Sequence, residues 1–374
     1  MRIGFDLTGL WRPTTGVYVY AIELARHLLR FNCDNEYTLF FTGEVHPEFS
    51  GLHKKFRAVL VPFRDEIVSK QLAMAVLCNR LELDLIHFPT FPPPLLCLRP
   101  TVWTIHDATP WVHPETMSLK GKLYFGRLGP WTARISRTII TVSNESKRNI
   151  VQSLHISEQK VRVIYEGISK GFKRVEDAST LHSIRQKYSL PARFLLTVGT
   201  LEPRKNLPFL IEVFGRLRET SPGLGLVVVG RKGWKTEGID RLLAEAGNGV
   251  VVTGFVPRSD LVGLYSLASA FVLASIYEGF GFPPLEAMAC GCPVVVSNRG
   301  SLPEVVGGAG LLLELDNIDL WVESLRSLLS APSMARALVG RGLSHVKKFS
   351  WESAASETLD LYGRVAAEPV SVLR

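Results

Sequence analysis

Cysteine is scarce and scattered: Cys33, Cys78, Cys97, Cys290 and Cys292 form an odd set of five in 374 residues, without metal-ligand spacing. This argues against a disulfide framework or a thiolate metal site, and a reduced, cytosolic compartment is the simpler inference. Cys290 and Cys292 flank Gly291, where small residues filling a tight helix end explain them. Long apolar runs are missing too. A membrane-spanning helix needs roughly 20 such residues. The charge-free stretch from Leu261 to Tyr277 carries Gly263, Ser266, Ser269 and Ser275, and it divides into a helix (Leu261–Ser269) and a buried strand (Ala270–Ser275). The opening Met1-Arg2-Ile3-Gly4-Phe5-Asp6 reads as a short strand, too short for a signal peptide. The chain has no Walker-type loop, no GxGxxG after a strand, no HExxH and no zinc-like cluster. An Asp-x-Asp pair that would chelate a metal on a nucleotide-sugar is not apparent, so positive side chains must meet any phosphate.

What is present suits two domain-sized cores: 46% of the residues are hydrophobic, enough to bury both. The net charge of +8 lies mostly in residues 1–170, which suggests an acidic partner such as anionic lipid or a phosphate-bearing acceptor. Nucleic acid is disfavoured, because no motif for it accompanies the charge. The segment Leu119-Lys120-Gly121-Lys122-Leu123-Tyr124-Phe125-Gly126-Arg127 mixes basic and aromatic residues as an interfacial segment does, although a solvated surface helix is the plainer reading. Short apolar runs alternate with amphipathic stretches, the pattern of parallel α/β layers. Strands read at Arg2–Asp6, Tyr37–Phe41, Ala58–Val61, Leu85–His87, Thr101–Ile105 and Thr138–Val142; helices read at Tyr18–Leu29, Glu66–Arg80, Glu145–Ser153 and Ala178–Tyr188. After a glycine-marked pause near residue 170 the pattern restarts, with strands at Phe194–Val198, Gly225–Val229, Val250–Thr253, Phe271–Ala274 and Pro293–Ser297, and a helix at Leu207–Thr220. A second doubly wound domain is expected, with ligand at the carboxyl ends of the strands and in the cleft between the domains. The helix Trp351–Val365, capped by Ser350, has no place assigned by pattern alone.

The chemistry concentrates in Glu278-Gly279-Phe280-Gly281-Phe282-Pro283-Pro284-Leu285-Glu286. Two carboxylates bracket a glycine turn that leaves backbone N–H groups approachable. Pro283 and Pro284 suit the first turn of a helix that stops at Gly291. A helix start fed by such a turn suits phosphate, and the carboxylates suit sugar hydroxyls. Upstream, Gly199-Thr200-Leu201-Glu202-Pro203-Arg204-Lys205-Asn206 follows a strand. Arg204 offers a forked donor set and Lys205 a compact charge, together able to neutralise a departing diphosphate. In the first half, Gly16 of Pro13-Thr14-Thr15-Gly16-Val17-Tyr18 starts a helix where a phosphate or acceptor can approach. His106 and Asp107 end a strand: His106 can donate to a sugar hydroxyl or phosphate, with Asp107 orienting it or reaching the acceptor. His87 ends a neighbouring strand and reads as a wall residue. Asn144-Glu145-Ser146 matches a glycosylation acceptor, yet is better read as a helix start after Ser143.

Together these residues resemble a retaining glycosyltransferase of family 4, with the GT-B architecture of two facing Rossmann-like, doubly wound α/β domains and an interdomain cleft. The resemblance rests on Gly16, His106-Asp107, Ser143, Gly167, Gly199 with Arg204-Lys205-Asn206, Gly230, Gly254-Phe255-Val256, Glu278 with Glu286, Gly291-x-Pro293-Val294-Val295, Gly300 and Pro303-Glu304-Val305. It implies an acceptor-binding domain over residues 1–170, joined by a return helix in 351–374, and a donor-binding domain over 171–350. It implies that Arg204 and Lys205 hold the donor diphosphate and that Glu286 binds the ribose. Glu278 and the backbone of Phe280, Gly281 and Phe282 would hold the sugar, His106 would lie near its C6 hydroxyl, and Phe255-Val256 would meet the base. No metal or cofactor is implied. The Thr200–Asn206 variant is similar to members that move mannose or a related sugar from a GDP-sugar to a glycan or lipid-linked polysaccharide precursor, at the inner face of the cytoplasmic membrane. A nucleotide-sugar epimerase, or a catalytically silent binding protein of the same fold, is the alternative.

Overall fold

Runs rich in Val, Ile, Leu and Phe, such as Leu224–Val229 and Val294–Ser297, are buried along their whole length, as central strands of a parallel sheet covered on both faces must be. The computed structural model describes residues 1–10, 15–31, 34–62, 69–117, 119–233, 238, 241–243, 247 and 249–368. Pro13 and Thr14 of the loop before Gly16, Cys33, and Glu66 at the head of the expected helix Glu66–Arg80 lie outside them. Two compact units result: Met1–Gly167 with Phe349–Arg374, and Ile168–Lys348.

In the first unit the strands are β1 (Arg2–Asp6), β2 (Glu36–Thr42), β3 (Arg57–Val61), β4 (Leu85–Phe88), β5 (Thr101–Thr104), β6 (Thr138–Thr141) and β7 (Val161–Val163). They form a parallel sheet in the order β3-β2-β1-β4-β5-β6-β7. Gly4 of β1 pairs with Thr38 on one side and Ile86 on the other, so strand order reverses between β1 and β4. One core gathers Phe40, Ile86, Phe88, Trp103, Ile139 and Ile150. The helix Trp351–Ala367 packs on the helix Gly16–Phe31 and on β4. Ser350 caps it by accepting from the Ser353 N–H at 3.0 Å, and Trp351 meets Tyr20 at 5.9 Å between ring centroids.

In the second unit β8 (Arg193–Val198), β9 (Leu224–Val229), β10 (Val250–Gly254), β11 (Ala270–Leu273), β12 (Val294–Ser297) and β13 (Leu311–Leu313) run in the order β10-β9-β8-β11-β12-β13. Leu195 pairs with both Leu226 and Ala270, which puts the reversal between β8 and β11, the place where doubly wound sheets bind ligand. Leu195, Phe214, Leu226, Val272, Val295 and Trp321 belong to one core. At the ends of β8 and β9 the two backbones nearly touch: a Cβ on Gly230 would lie 1.8 Å from the Gly199 carbonyl oxygen.

The short edge strands β7 and β13 were not expected from the sequence. Each has three residues, too few for a hydrophobic period to register. The charge-free stretch begins as a helix at Arg258–Leu267. Segment 119–127 forms an α-turn Leu119–Leu123 followed by a π-turn Tyr124–Leu128, with Tyr124 buried. Among the described residues no helix is long and apolar enough to cross a membrane.

Candidate functional site

The loop after β8 continues the sheet for two residues, the Leu201 N–H donating to the Arg231 carbonyl at 2.9 Å. A 3₁₀ turn Pro203–Lys205 follows, and Asn206 in the left-handed region (φ 51) starts the helix Leu207–Thr220. The loop after β11 is tied to it: the Ile276 N–H donates to the Arg204 carbonyl at 2.9 Å. These two connections leave either side of the switch point and bring Arg204, Lys205 and Glu278 together.

Lys205 Nζ stands 2.5 Å from Glu278 Oε1, and Arg204 Nη1 stands 2.9 Å from Oε2. Ser275 Oγ also donates to Oε1, at 2.6 Å. Arg204 is locked further: Nη1 donates to the Tyr277 carbonyl at 2.7 Å, while Nε and Nη2 both reach Glu202 Oε1, at 3.0 and 2.6 Å. Burial alone would raise the Glu278 carboxyl, but the charges of Lys205 and Arg204 outweigh it and hold the group at about 2. A carboxylate has about four lone-pair positions, and three donors occupy those of Glu278; one position on Oε2 is left for a hydroxyl. Lys205 carries three N–H donors and gives one to Glu278, the acceptor it reaches among the described residues. Its Nζ lies 3.5 Å from where a Cβ on Gly199 would stand, so the ammonium sits over the bare backbone at the end of β8.

Gly281, with φ 109, precedes the helix Phe282–Ala289, a conformation that suits glycine. Phe280 is buried and meets Phe282 edge-on at 5.6 Å, and its carbonyl accepts from Ser301 Oγ at 2.7 Å. Glu286, on that helix, accepts from the Tyr265 hydroxyl at 2.9 Å. Burial pushes its carboxyl up to about 7, with the Tyr265 hydrogen bond and the charge of Arg258 pulling the other way. At the ends of β9 and β10, the Arg231 guanidinium lies 4.4 Å from the centre of the Phe255 ring. Phe255 is exposed while Val256 is buried, so the ring and the backbone are what this turn offers.

The first unit amends several expectations. Gly16 is exposed at the head of its helix. His87 is not a wall residue: it is 0% exposed, with Nδ1 2.6 Å from the Tyr362 hydroxyl and Nε2 2.7 Å from Thr104 Oγ1. A ring so enclosed touches no substrate. Asp107 does not orient His106; its Oδ1 accepts from the Thr109 N–H at 2.9 Å, a local turn at the head of the short helix Thr109–Val112. The partner of His106 is Glu166, 3.2 Å from Nδ1, while Nε2 stands 2.8 Å from the Pro89 carbonyl. With both nitrogens engaged, His106 has no spare N–H for a sugar or phosphate.

Glu166, Glu202, Ser275 and Tyr265 are the residues that sequence reasoning passed over. Glu202, two places before Arg204, was the one open to inference, since a guanidinium beside a carboxylate invites pairing.

Two doubly wound parallel sheets, the second with an acid–base cluster at its switch point, define the fold class of the GT-B glycosyltransferases. Residues 14–171 match the family described as Glycosyltransferase Family 4, and residues 182–344 match Glycosyl transferases group 1. The O-antigen chain mannosyltransferase B of Escherichia coli is 33% identical over 280 residues, covering 74% of this chain and 73% of that protein. The serotype-specific mannosyltransferase WbdA of the same species is 29% identical over 275 residues, 71% of this chain but 33% of its own length; this chain spans about a third of it. Anabaena HepE, crystallised with UDP and glucose, superposes with a TM-score of 0.75 at 19% identity, over 97% of this chain and 100% of that one. The chain belongs to glycosyltransferase family 4. It is a glycosyltransferase.

Proposed function

We propose that the protein transfers a mannosyl or related hexosyl group, with retention, from a GDP-sugar to a glycan or lipid-linked polysaccharide precursor. The cluster of Arg204, Lys205 and Glu278 at the β8/β11 switch point carries this reading: two fixed cations beside a carboxylate with one open acceptor position suit a diphosphate and a sugar hydroxyl at once. The mannosyltransferase relatives favour mannose, and GDP follows from that choice. In this reading the second unit binds the donor. Arg204 and Lys205 stabilise the departing diphosphate where negative charge develops. Glu278 and the backbone of Phe280, Gly281 and Phe282 position the sugar; Glu286 takes the ribose hydroxyls; Phe255 and Val256 meet the base. Gly199 keeps the approach clear. The first unit binds the acceptor; in it, Gly16 serves the donor and His106 the reaction, as the family resemblance implies. Displacement occurs on one face through an oxocarbenium-like state, the leaving phosphate helping to deprotonate the incoming hydroxyl. Glu278 therefore positions the sugar and forms no glycosyl bond, unlike a retaining glycosidase nucleophile. No metal or cofactor takes part. The enzyme works in the cytoplasm, and its basic first unit meets the anionic inner face of the membrane.

The test is transfer from labelled GDP-mannose to a lipid-linked acceptor, read as anomeric configuration of the product. Product with the donor's configuration, falling about 100- to 1,000-fold for Lys205→Ala as for loss of a charge-stabilising donor, supports the reading. An inverted product, or near-normal turnover of the variant, overturns it. Conversion of the sugar without acceptor would identify an epimerase, and binding without transfer a silent binding protein.

A further inference from the structure

A carbonyl oxygen only accepts, so the contact with Pro89 at 2.8 Å means that Nε2 of His106 carries hydrogen. The other nitrogen faces Glu166 Oε1 at 3.2 Å. One further proton must therefore lie between Nδ1 and Oε1. On the carboxyl, it makes Glu166 a donor to a neutral ring; on the ring, it makes an imidazolium–carboxylate pair. Both arrangements are neutral overall. Without that proton two lone pairs face each other, and a charge stays unpaired on a side chain only 2% exposed, which is costly. Burial raises the Glu166 carboxyl, with the hydrogen bond and charge of His106 drawing it back.

The neighbouring groups do not compete for this proton. Tyr20, from the helix Gly16–Phe31, meets the His106 ring edge-on at 4.7 Å and directs its hydroxyl to Thr104 Oγ1 at 3.0 Å; burial raises its phenol far above the ordinary range. Burial first, and then the charge of His106, holds the His87 imidazole on β4 at about 3. Burial pushes the phenol of Tyr362, on the carboxyl-terminal helix, well up. Asp107 is turned to Thr109. The chain that delivers Glu166 is itself fixed: the Ile164 N–H donates to the Thr141 carbonyl at 2.9 Å, and a Cβ on Gly167 would fall 2.2 Å from the Trp351 nitrogen.

We infer that Glu166 is a positioning residue of the transfer reaction, one that sets the tautomer, orientation and charge of the His106 ring by sharing a single proton with Nδ1. The ring then serves the reaction as half of that neutral pair, and neither nitrogen hands over a proton. This rests on the proposed role of His106 in the transfer reaction.

The experiment compares wild type, Glu166→Gln, Glu166→Leu and His106→Ala in the full-length protein, by kcat, KM, pH profile and the ¹⁵N spectrum of His106. The Gln amide N–H can donate to Nδ1 and keep the ring in place while removing the shared proton. Expected are a protonated Nε2 in wild type and in Glu166→Gln, an alkaline fall in wild-type kcat that is missing in Glu166→Gln, and a loss of about 100-fold in kcat for Glu166→Leu at unchanged donor KM, the scale of a misplaced group. A neutral Nδ1–H tautomer, an unchanged alkaline limb in Glu166→Gln, or wild-type turnover in folded Glu166→Leu overturns the inference. A fully active His106→Ala removes the ring from the reaction and sinks the parent reading with it. An inactive His106→Ala beside a normal Glu166→Leu sinks the role of Glu166 alone. If Glu166→Leu does not fold, the Glu166→Gln profile and the spectra still decide.

Discussion

Replacing Glu278 by Gln keeps the shape of the side chain and removes its charge. The wild-type carboxyl is held at about 2 against an ordinary 4.5, and at about 1.4 kcal/mol per pKa unit the folded state prefers the ionised form by about 3 kcal/mol. That figure is already net of burial, which opposes ionisation, so the attraction of Lys205 and Arg204 exceeds it. Gln cannot replace the pair: its carbonyl oxygen accepts from one cation while its NH₂ faces the other. The folded-state carboxyl is depressed, so its stabilisation is complete above about pH 4.5 and is lost as pH falls through about 2. The variant should therefore be about 3 kcal/mol less stable at about pH 7, and the gap should narrow by about 2 kcal/mol by about pH 3. Hydrogen exchange at the buried amides of β8 and β11 reports the second unit by itself. A gap that stays the same size at both pH values would mean that packing, and not the ion pairs, explains the loss.

Three further outcomes follow from single contacts. The raised Glu286 carboxyl contributes stability that is present below about pH 4.5 and lost as pH rises through about 7; Glu286→Gln should abolish a fall of about 1–3 kcal/mol, discounted for partial exposure, between about pH 5 and pH 8, as read by unfolding of the second unit. Gly230→Ala would set a Cβ 1.8 Å from the Gly199 carbonyl and should cost about 3 kcal/mol or more; an unchanged melting temperature contradicts it. Ser350→Ala removes the cap of the carboxyl-terminal helix and should cost about 1 kcal/mol in denaturant unfolding of the first unit.

The longer strands and the helix Leu207–Thr220 were readable because apolar runs with glycine punctuation leave few alternatives. The pairing of Glu278 with Arg204 and Lys205 was legible in part, since each lay where a parallel strand delivers its following loop. The burial of His87 was not, because its partner Tyr362 is 275 residues away and no local signal connects them. Glu166 escaped for a related reason: it belongs to no charge pattern of its own, and it acquires meaning when β5 and β7 of one sheet bring it beside His106. The Asp107 expectation failed to a local competitor, the Thr109 N–H two residues on, a habit of aspartate before short helices.

The direct test of the donor site is a calorimetric titration of GDP-mannose and of GDP into wild type, Arg204→Ala and Lys205→Ala. Both ligands should bind wild type, and both should weaken by about 100-fold in Lys205→Ala, about 2.7 kcal/mol, because the contact removed is to the diphosphate that they share. Equal affinity of wild type and Lys205→Ala for GDP would contradict it.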